Sequence, residues 1–200
     1  MNKNDKIFVA GHNGLVGSAI VRKLHAEGYD NIVTAAKNEL NLCIQADTFG
    51  FFKEHKFDYV FLAAAKVGGI YANKTYPGQF VGDNIAIQSN VIEAARIAGV
   101  KKLLFLGSSC IYPKMCPQPI KEEYLMTGPL EPTNSAYAVA KIAGIEMLKS
   151  FKQQYGFNGI SLMPTNLYGP GDNFHPQNSH VLPGLMHRFH EAEENGDNTV

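Results

Sequence analysis

Three side chains of this sequence have the types and spacing for chemistry on a carbonyl group. Tyr137 and Lys141 stand four residues apart in a helical pattern, so both lie on one face of the helix. A nearby cation favours the phenolate form and moves the pKa of a tyrosine from about 10 towards neutral pH, where the phenol can protonate a ketone oxygen as hydride arrives. Ser108 follows an apolar strand pattern and can donate a hydrogen bond to the same oxygen. The three residues predict carbonyl reduction, although Tyr-x-x-x-Lys also occurs by chance in helices.

A glycine-rich turn is the second candidate feature. It consists of Gly11, His12, Asn13, Gly14, Leu15, Val16 and Gly17. The turn stands between an apolar strand pattern and an amphipathic helix pattern. In that position the glycines permit a tight turn, a close approach of the backbone to a pyrophosphate and close helix packing, and the helix N-terminus attracts the anion. The turn therefore predicts dinucleotide binding by these seven residues, the alternative being a structural glycine turn in another α/β protein.

The residue after the second strand pattern distinguishes between the two common dinucleotides. A carboxylate there binds the ribose 2′-hydroxyl of NAD(H), whereas a cation accommodates the 2′-phosphate of NADP(H). Lys37 stands 20 residues after Gly17, and no Asp or Glu occupies the strand end. We therefore predict NADP(H) as the cofactor and Lys37 as a ligand of its phosphate. Two alternatives remain: Lys37 is only a solvated lysine, or the nearby Glu39 favours NAD(H).

The elements that must position these residues alternate between strand and helix. Apolar strand patterns lie at 7–10, 31–35, 59–63, 102–106 and 160–163, with a helical pattern after Gly11 and others at 45–55, 83–98 and 135–155. Continuous apolar strands separated by amphipathic helices indicate a parallel sheet covered on both faces. The predicted fold is an α/β Rossmann-type doubly wound parallel sheet, with the start of a small C-terminal substrate lobe.

Composition excludes several functions. The chain has 18 basic and 18 acidic residues, no net charge and 45% hydrophobic residues, which is typical of a globular protein. A neutral chain has no long-range field to gather polyanions, so we expect no nucleic acid and no membrane surface as partner. Its three cysteines have no metal-ligand spacing, and no apolar stretch reaches the roughly 18 residues that cross a bilayer. We therefore expect no metal and a cytoplasmic location.

Several longer motifs carry a resemblance to a known family. They read LAAAKVGGI at 62–70, LFLGSSCIYP at 104–113, MPTNLYGP at 163–170, DNFHP at 172–176 and NSHV at 178–181. Together with the glycine turn and the Tyr-x-x-x-Lys pair, they resemble the GDP-L-fucose synthase family of the extended short-chain dehydrogenases/reductases. The similarity runs from about residue 7 to about residue 194. It is specific to the enzyme family and not only to the fold.

The resemblance implies an epimerisation followed by a reduction. The family's substrate, GDP-4-keto-6-deoxy-D-mannose, has a ketone at C4 that acidifies the hydrogens on C3 and C5. By similarity Cys110 is the base and His180 the acid that invert both centres, while Ser108 and Tyr137 stabilise the enolate oxygen. NADPH then reduces C4 to give GDP-L-fucose, with Lys141 holding the nicotinamide ribose and lowering the pKa of Tyr137.

The resemblance also implies further binding residues and a partner. The cofactor contacts after the fourth and fifth strands are Leu106, Gly107, Ser108, Ser109, Pro164, Thr165, Asn166 and Leu167, joined by Tyr137, Lys141 and His180. The substrate contacts are Ser108, Cys110, Asn166 and Arg188. We expect a homodimer, as is common in this superfamily. Of the other cysteines, Cys43 is predicted in the core and Cys116 in a loop.

The sequence departs from the family pattern at two positions and in length. Asn13 and Lys37 replace arginines that are common in the family, and lysine lacks bidentate phosphate binding, so a weaker NADP(H) preference is expected. We predict that residues 1–165 form an NADP-binding domain with the catalytic residues. We predict that residues 166–200 are the beginning of a substrate-binding lobe, which is longer in members of the family. Two alternative functions stay open: another nucleotide-sugar epimerase or dehydratase, and a non-catalytic NADP-binding protein. Against the dehydratases, Ser109 and Cys110 occupy the place of their acidic pair.

Overall fold

A single parallel sheet forms the centre of the computed structural model, which describes residues 1–176 and 178–200. Its strands are β1 (Ile7–Ala10), β2 (Ile32–Val33), β3 (Tyr59–Leu62), β4 (Lys102–Leu106) and β5 (Gly159–Leu162). They lie in the order β2-β1-β3-β4-β5, and every neighbouring pair is parallel. From β1 the chain runs to β2 on one side of β1, and it then crosses over to β3 on the other side of β1. This reversal opens a crevice at the carboxyl ends of β1 and β3, where doubly wound sheets bind their ligands.

In residues 1–176 and 178–200, six helices connect or follow the strands. They are α1 (Leu15–Ala26), α2 (Gln45–His55), α3 (Ile70–Thr75), α4 (Pro77–Ile97), α5 (Ser135–Tyr155) and α6 (Val181–Asn195), and two short 3-10 turns lie at Ser109–Ile111 and Glu122–Tyr124. None of the helices in the described part of the chain is both long and apolar enough to cross a membrane.

The core lies on both faces of the sheet, which explains why the central strand β1 is apolar throughout. On one face Phe8, Val60 and Leu103 pack against α2, α4 and α5 in the larger core cluster. On the other face Ile7 and Val9 pack against α1. All four residues of β1 are at most 1% exposed. Helices on both faces of a parallel sheet confirm the predicted Rossmann-type α/β fold.

Most predicted elements are present, with differences at their ends. The helices at 45–55 and 135–155 and the strand at 102–106 have the predicted bounds. α4 begins at Pro77 instead of 83, because proline at the first helical position starts a helix without losing a hydrogen bond. The six-residue α3 was not predicted, and β2 has only two residues in the sheet where 31–35 was expected.

Close packing of α5 on β4 sets the position of the helix that carries Tyr137 and Lys141. A Cβ added to Gly144 of α5 would lie 2.7 Å from the Phe105 ring and 3.0 Å from Gln88 of α4. Gln88 is buried and its side-chain amide donates to the Ala140 carbonyl. The small residue therefore lets α5 approach the end of β4, where Ser108 and Lys141 meet.

Candidate active site

The carboxyl ends of the five strands open into one cavity of about 520 Å³. Loops after every strand line it, so the groups that could meet a ligand converge from all parts of the sheet. Predicted site residues that line the cavity are Gly11, Gly14, Leu15, Val16, Gly17, Lys37, Gly107, Ser108, Ser109, Tyr137, Pro164, Thr165, Asn166, Leu167 and His180. Predicted site residues outside that lining are His12, Asn13, Leu106, Cys110, Lys141 and Arg188.

The glycine turn after β1 has the geometry that a pyrophosphate site requires. Gly11 has a φ of +86°, and a Cβ there would lie 2.6 Å from the backbone nitrogen of Ala64. A Cβ on Gly17 would lie 2.0 Å from the Gly11 carbonyl oxygen. Gly14 is exposed and precedes α1 without a side-chain cap, so the helix N-terminus faces open space. A side chain at Gly11 or Gly17 would break the turn, while the missing side chain at Gly14 leaves room for an anion.

The two polar residues of this turn lie differently from its glycines. Asn13 is exposed, and His12 is half-buried. The Nδ1 atom of His12 is buried and has no hydrogen-bond partner within the described residues. Direct phosphate contact by either residue stays a prediction.

The end of β2 presents a cation to the cavity. Lys37 is exposed and lines the cavity. The carboxylate of Glu39 instead accepts a hydrogen bond from the Ala36 backbone at 2.7 Å, and Glu39 is not among the lining residues. Glu39 therefore caps a local turn. The charged residue that this strand end presents to the cavity is Lys37.

Ser108 and Cys110 form a hydrogen-bonded pair just after β4. The Cys110 thiol donates to the Ser108 Oγ at 3.1 Å, and the Cys110 backbone N–H lies 3.4 Å from the same oxygen. Burial raises the pKa of the Cys110 thiol, and the bond to Ser108 only partly offsets this. Ser108 lines the cavity, while Cys110 lies beside it and outside the lining.

Tyr137 and Lys141 lie one turn apart on α5, as their spacing predicted. The buried Lys141 Nζ donates to the Leu106 carbonyl at 2.8 Å and lies 5.6 Å from the centre of the Tyr137 ring. Burial lowers the pKa of Lys141 to about 8. Burial, reinforced by the charge of Cys110, raises the pKa of Tyr137 above its ordinary value. The expectation that Lys141 lowers the tyrosine pKa is therefore wrong for this structure, because the phenol is desolvated and the ammonium is bonded to Leu106.

His180 reaches the cavity from the beginning of α6. It is the exposed N-cap residue of α6 and lines the cavity. Arg188 lies two turns further along α6, is exposed and does not line the cavity. The structure thus brings His180 to the same cavity as Ser108 and Tyr137, whereas the role of Arg188 stays a prediction.

The sequence analysis missed several residues around the cavity. Asn84 is 2% exposed, and its side chain bonds both the N–H and the carbonyl of Lys66, at 2.8 and 2.9 Å. It thereby fixes the loop after β3. Cys43 was predicted in the core, but it is half-buried and lines the cavity beside Asp83. The detectable signal was the position of Asn84, four residues after Phe80 and four before Gln88, on the buried face of α4.

No cluster of three His, Cys, Asp or Glu side chains able to hold a metal occurs in residues 1–176 and 178–200. The groups that the sequence predicts for chemistry are the hydroxyl of Ser108, the thiol of Cys110, the phenol of Tyr137, the ammonium of Lys141 and the imidazole of His180. Such a set can move protons and stabilise an oxyanion.

Comparison with known proteins agrees with this fold. Residues 7–199 match the model of the NAD dependent epimerase/dehydratase family. The chain belongs to this family.

Particular relatives are more informative than the family as a whole. The chain is 63% identical to GDP-L-fucose synthase 1 of Arabidopsis thaliana and 56% identical to GDP-L-fucose synthase of Escherichia coli. The alignments cover 100% and 94% of this chain, and 62% and 58% of the respective relatives. A GDP-D-glycero-L-gluco-heptose synthase of Campylobacter jejuni, solved in the presence of NADPH, superposes with a TM-score of 0.92 at 40% identity. That alignment covers all of this chain and 62% of the other. The chain thus spans about three fifths of the length of the relatives it matches.

Proposed function

We propose that the protein converts GDP-4-keto-6-deoxy-D-mannose to GDP-L-fucose by epimerisation at C3 and C5 and NADPH-dependent reduction at C4. One observation carries the proposal. Ser108 accepts a hydrogen bond from Cys110 at the rim of a cavity that Tyr137 and His180 also line. The names of the relatives at 63% and 56% identity support this substrate.

The cavity fits an NADP(H) molecule at its β1 and β2 side. The open position at Gly14 and the uncapped N-terminus of α1 suit the pyrophosphate, and Lys37 suits the 2′-phosphate. The nicotinamide side is formed by Tyr137 and by residues 164–167 after β5. When bound, NADPH supplies the hydride for C4. The relative from Campylobacter jejuni, solved in the presence of NADPH, supports this cofactor.

Epimerisation requires that one group removes a proton beside the ketone and another returns one. Cys110 is the base of the proposal. Its thiol must first release its proton to water, because only the thiolate can accept a proton from carbon. Burial raises the pKa of the thiol and so makes the thiolate a stronger base, while the hydrogen bond with Ser108 stabilises the thiolate. Enolate charge then develops on the C4 oxygen, where the hydroxyls of Ser108 and Tyr137 can donate. His180 approaches from the N-terminus of α6, a different element, and is the acid that protonates the carbon.

Reduction uses the same oxygen site. Tyr137 keeps its proton at neutral pH because burial raises its pKa, so it is available as a proton donor to the C4 oxygen. Lys141 has a pKa of about 8 and is mostly charged at pH 7. Its bond to the Leu106 carbonyl fixes the ammonium between the tyrosine and the end of β4. One oxyanion site thus serves both reactions.

The choice among GDP-sugars rests on similarity. The fucose synthases are 56–63% identical to this chain and the heptose synthase is 40% identical. A 4,6-dehydratase is disfavoured because Ser109 and Cys110 stand where that class has an acidic pair. The buried and bonded Lys141, together with Tyr137, gives no support to a non-catalytic role.

We also propose a homodimer in the cytoplasm. α4 and α5 pack side by side and carry exposed apolar side chains, among them Ile85, Ile97 and Val139. A second copy could cover these side chains in a four-helix interface. The three cysteines are free, which fits a reducing compartment.

The experiment that tests the function follows two signals in one reaction. The protein is incubated in deuterated water with NADPH and GDP-4-keto-6-deoxy-D-mannose, and NADPH oxidation and deuterium at C3 and C5 are measured. Both signals are expected. NADPH oxidation without deuterium incorporation would indicate a simple C4 reductase. The absence of both signals would overturn the proposal.

A further inference from the structure

The segment before His180 packs against the loop after β3 through a contact that only glycine permits. The N–H of Gly69 donates to the carbonyl of Asn178 at 3.1 Å. A Cβ added to the buried Gly69 would lie 2.5 Å from the carbonyl oxygen of Ser179. Real Cβ atoms essentially never come that close to another heavy atom, so any side chain at Gly69 would displace Asn178 and Ser179.

Asn73 of α3 fixes the loop side of this contact. Its side-chain Nδ2 donates to the carbonyls of Gly68 at 2.7 Å and Gly69 at 3.1 Å. The side chain is only 7% exposed. Both donor hydrogens of the amide are therefore used on two successive carbonyls, which fixes the direction of the peptide that meets Ser179.

The other side of the segment is fixed by α6. The N–H of Gly184 donates to the His180 carbonyl at 3.1 Å, and a Cβ on Gly184 would lie 2.7 Å from the Ser179 Oγ. Ser179 thus lies between Gly69 and Gly184, directly before His180 in the chain. The backbone position of His180 follows from these two contacts.

We propose that Asn73 and Gly69 are positioning residues for His180, acting through the contact between Gly69 and Ser179. This inference rests on the proposed function, in which His180 protonates the sugar carbon. The imidazole belongs to an exposed residue at the start of a helix, so its place in the cavity is set mainly by its backbone. A displacement of about 1 Å can lower the rate of a proton transfer on the order of 100-fold.

The test separates proton exchange from hydride transfer. Exchange of C3 and C5 hydrogens with deuterated water is measured with NADP⁺ bound, and reduction is measured with NADPH and the already epimerised 4-ketone. Gly69→Ala is expected to lower the exchange rate about 100-fold. Asn73→Ala and Asn73→Asp are each expected to lower it about tenfold, since both remove the donor. Reduction, which depends on Tyr137 and Ser108, is expected to stay close to the wild-type rate.

Matched controls make each outcome informative. Gly78→Ala places a methyl group on α4 where no atom lies within 4 Å, and it is expected to leave exchange unchanged. A parallel loss of exchange, reduction and thermal stability in Gly69→Ala would overturn the proposal in favour of a purely structural role. Wild-type exchange in Asn73→Asp, but not in Asn73→Ala, would overturn it by indicating a ligand contact through Oδ1.

A second measurement does not depend on catalysis. The NMR signal of the His180 imidazole is expected to move in Gly69→Ala and to stay in place in Gly78→Ala. An unmoved signal would overturn the positioning role even if the enzyme is active. Absent exchange in the wild-type protein would instead count against the proposed function.

Discussion

The two edges of the sheet favour opposite states of their ionisable groups: the neutral state at the carboxyl edge and the charged state at the amino edge. At the carboxyl edge, burial favours the neutral form of three ionisable groups: it raises the pKa of Cys110 and of Tyr137 and lowers that of Lys141 to about 8. At the amino edge, hydrogen-bonded ion pairs favour the charged form. Lys101 lies 3.0 Å from Asp5 and 2.9 Å from Asp58.

The pKa values at the amino edge shift accordingly. The bond to Lys101 lowers the pKa of Asp58, and the Asn2 backbone together with Lys101 lowers that of Asp5. Both carboxylates raise the pKa of Lys101. Cys110 and Tyr137, two of the groups to which we assign proton transfer, are therefore desolvated and have no carboxylate partner among the described residues, whereas Lys101 and its two carboxylates are paired and stay charged. The following substitutions test this contrast.

The largest effect is expected at Cys110. Cys110→Ser replaces the base by a hydroxyl that does not ionise near neutral pH, so deuterium exchange at C3 and C5 should fall at least about 100-fold. Titration of NADPH fluorescence should show unchanged cofactor binding. Cys116→Ser, in the loop before α5, is the matched control and should exchange like the wild-type protein. Cofactor loss in Cys110→Ser would contradict the assignment.

A somewhat smaller effect is expected at Lys37. Removing a cation that binds the 2′-phosphate should weaken NADPH roughly 10- to 100-fold and leave NADH nearly unchanged. The Kd values of both nucleotides for Lys37→Ala provide the measurement. Lys53→Ala removes an exposed lysine from α2 and serves as control. Equal weakening of both nucleotides would remove Lys37 from the phosphate site.

The reduction rate should depend on pH through Lys141, at the carboxyl edge of the sheet, and not through Lys101, at the amino edge. As pH rises through about 8, Lys141 loses its charge, so the reduction rate at saturating substrate should fall along an alkaline limb. Lys141→Arg should remove this limb, because arginine does not titrate there. Lys101→Met should retain it. If the reduction rate of Lys141→Arg still falls at the same alkaline pH as that of the wild-type protein, a group other than Lys141 titrates.

The smallest effect is expected at the amino edge. Asp58→Asn should slightly lower the melting temperature at neutral pH and leave both chemical steps unchanged. Since the folded-state pKa of Asp58 is lowered, its contribution is present above the ordinary value of 3.8 and is lost as pH falls through the lowered value. The difference in melting temperature between variant and wild type should therefore vanish in acid. A difference that persists there would indicate a packing defect.

Sequence patterns predicted the scaffold better than the contacts around the site. The strand at 102–106 and the helix at 135–155 were found at their observed bounds because the first is an almost continuous apolar run and the second is a long helical pattern that ends before Gly156. The spacing of Tyr137 and Lys141 placed both on one face of α5. It did not predict that Lys141 would bind the Leu106 carbonyl, because that bond depends on how deeply the helix packs.

The missed residues have partners that no local pattern reveals. Asn84 binds Lys66, 18 positions away, and Gly69 contacts Ser179, which follows two further strands, β4 and β5, in the sequence. α3 is too short for a helical period to be visible. Lys37 and Glu39 were both candidates until the structure showed the acid bonded to Ala36.

The register of the sheet has an evolutionary consequence. Ala10 pairs with Leu62, Leu62 with Phe105, and Phe105 with Ser161, so four strands reach the cavity at one level. The loops after β1, β3, β4 and β5 start from that level, whereas β2, which precedes Lys37, ends opposite Phe8. A loop can therefore lengthen or change sequence without shifting the starting points of its neighbours. Such a sheet allows new sugar specificities to arise by loop replacement while the proton-transfer groups keep their relative positions.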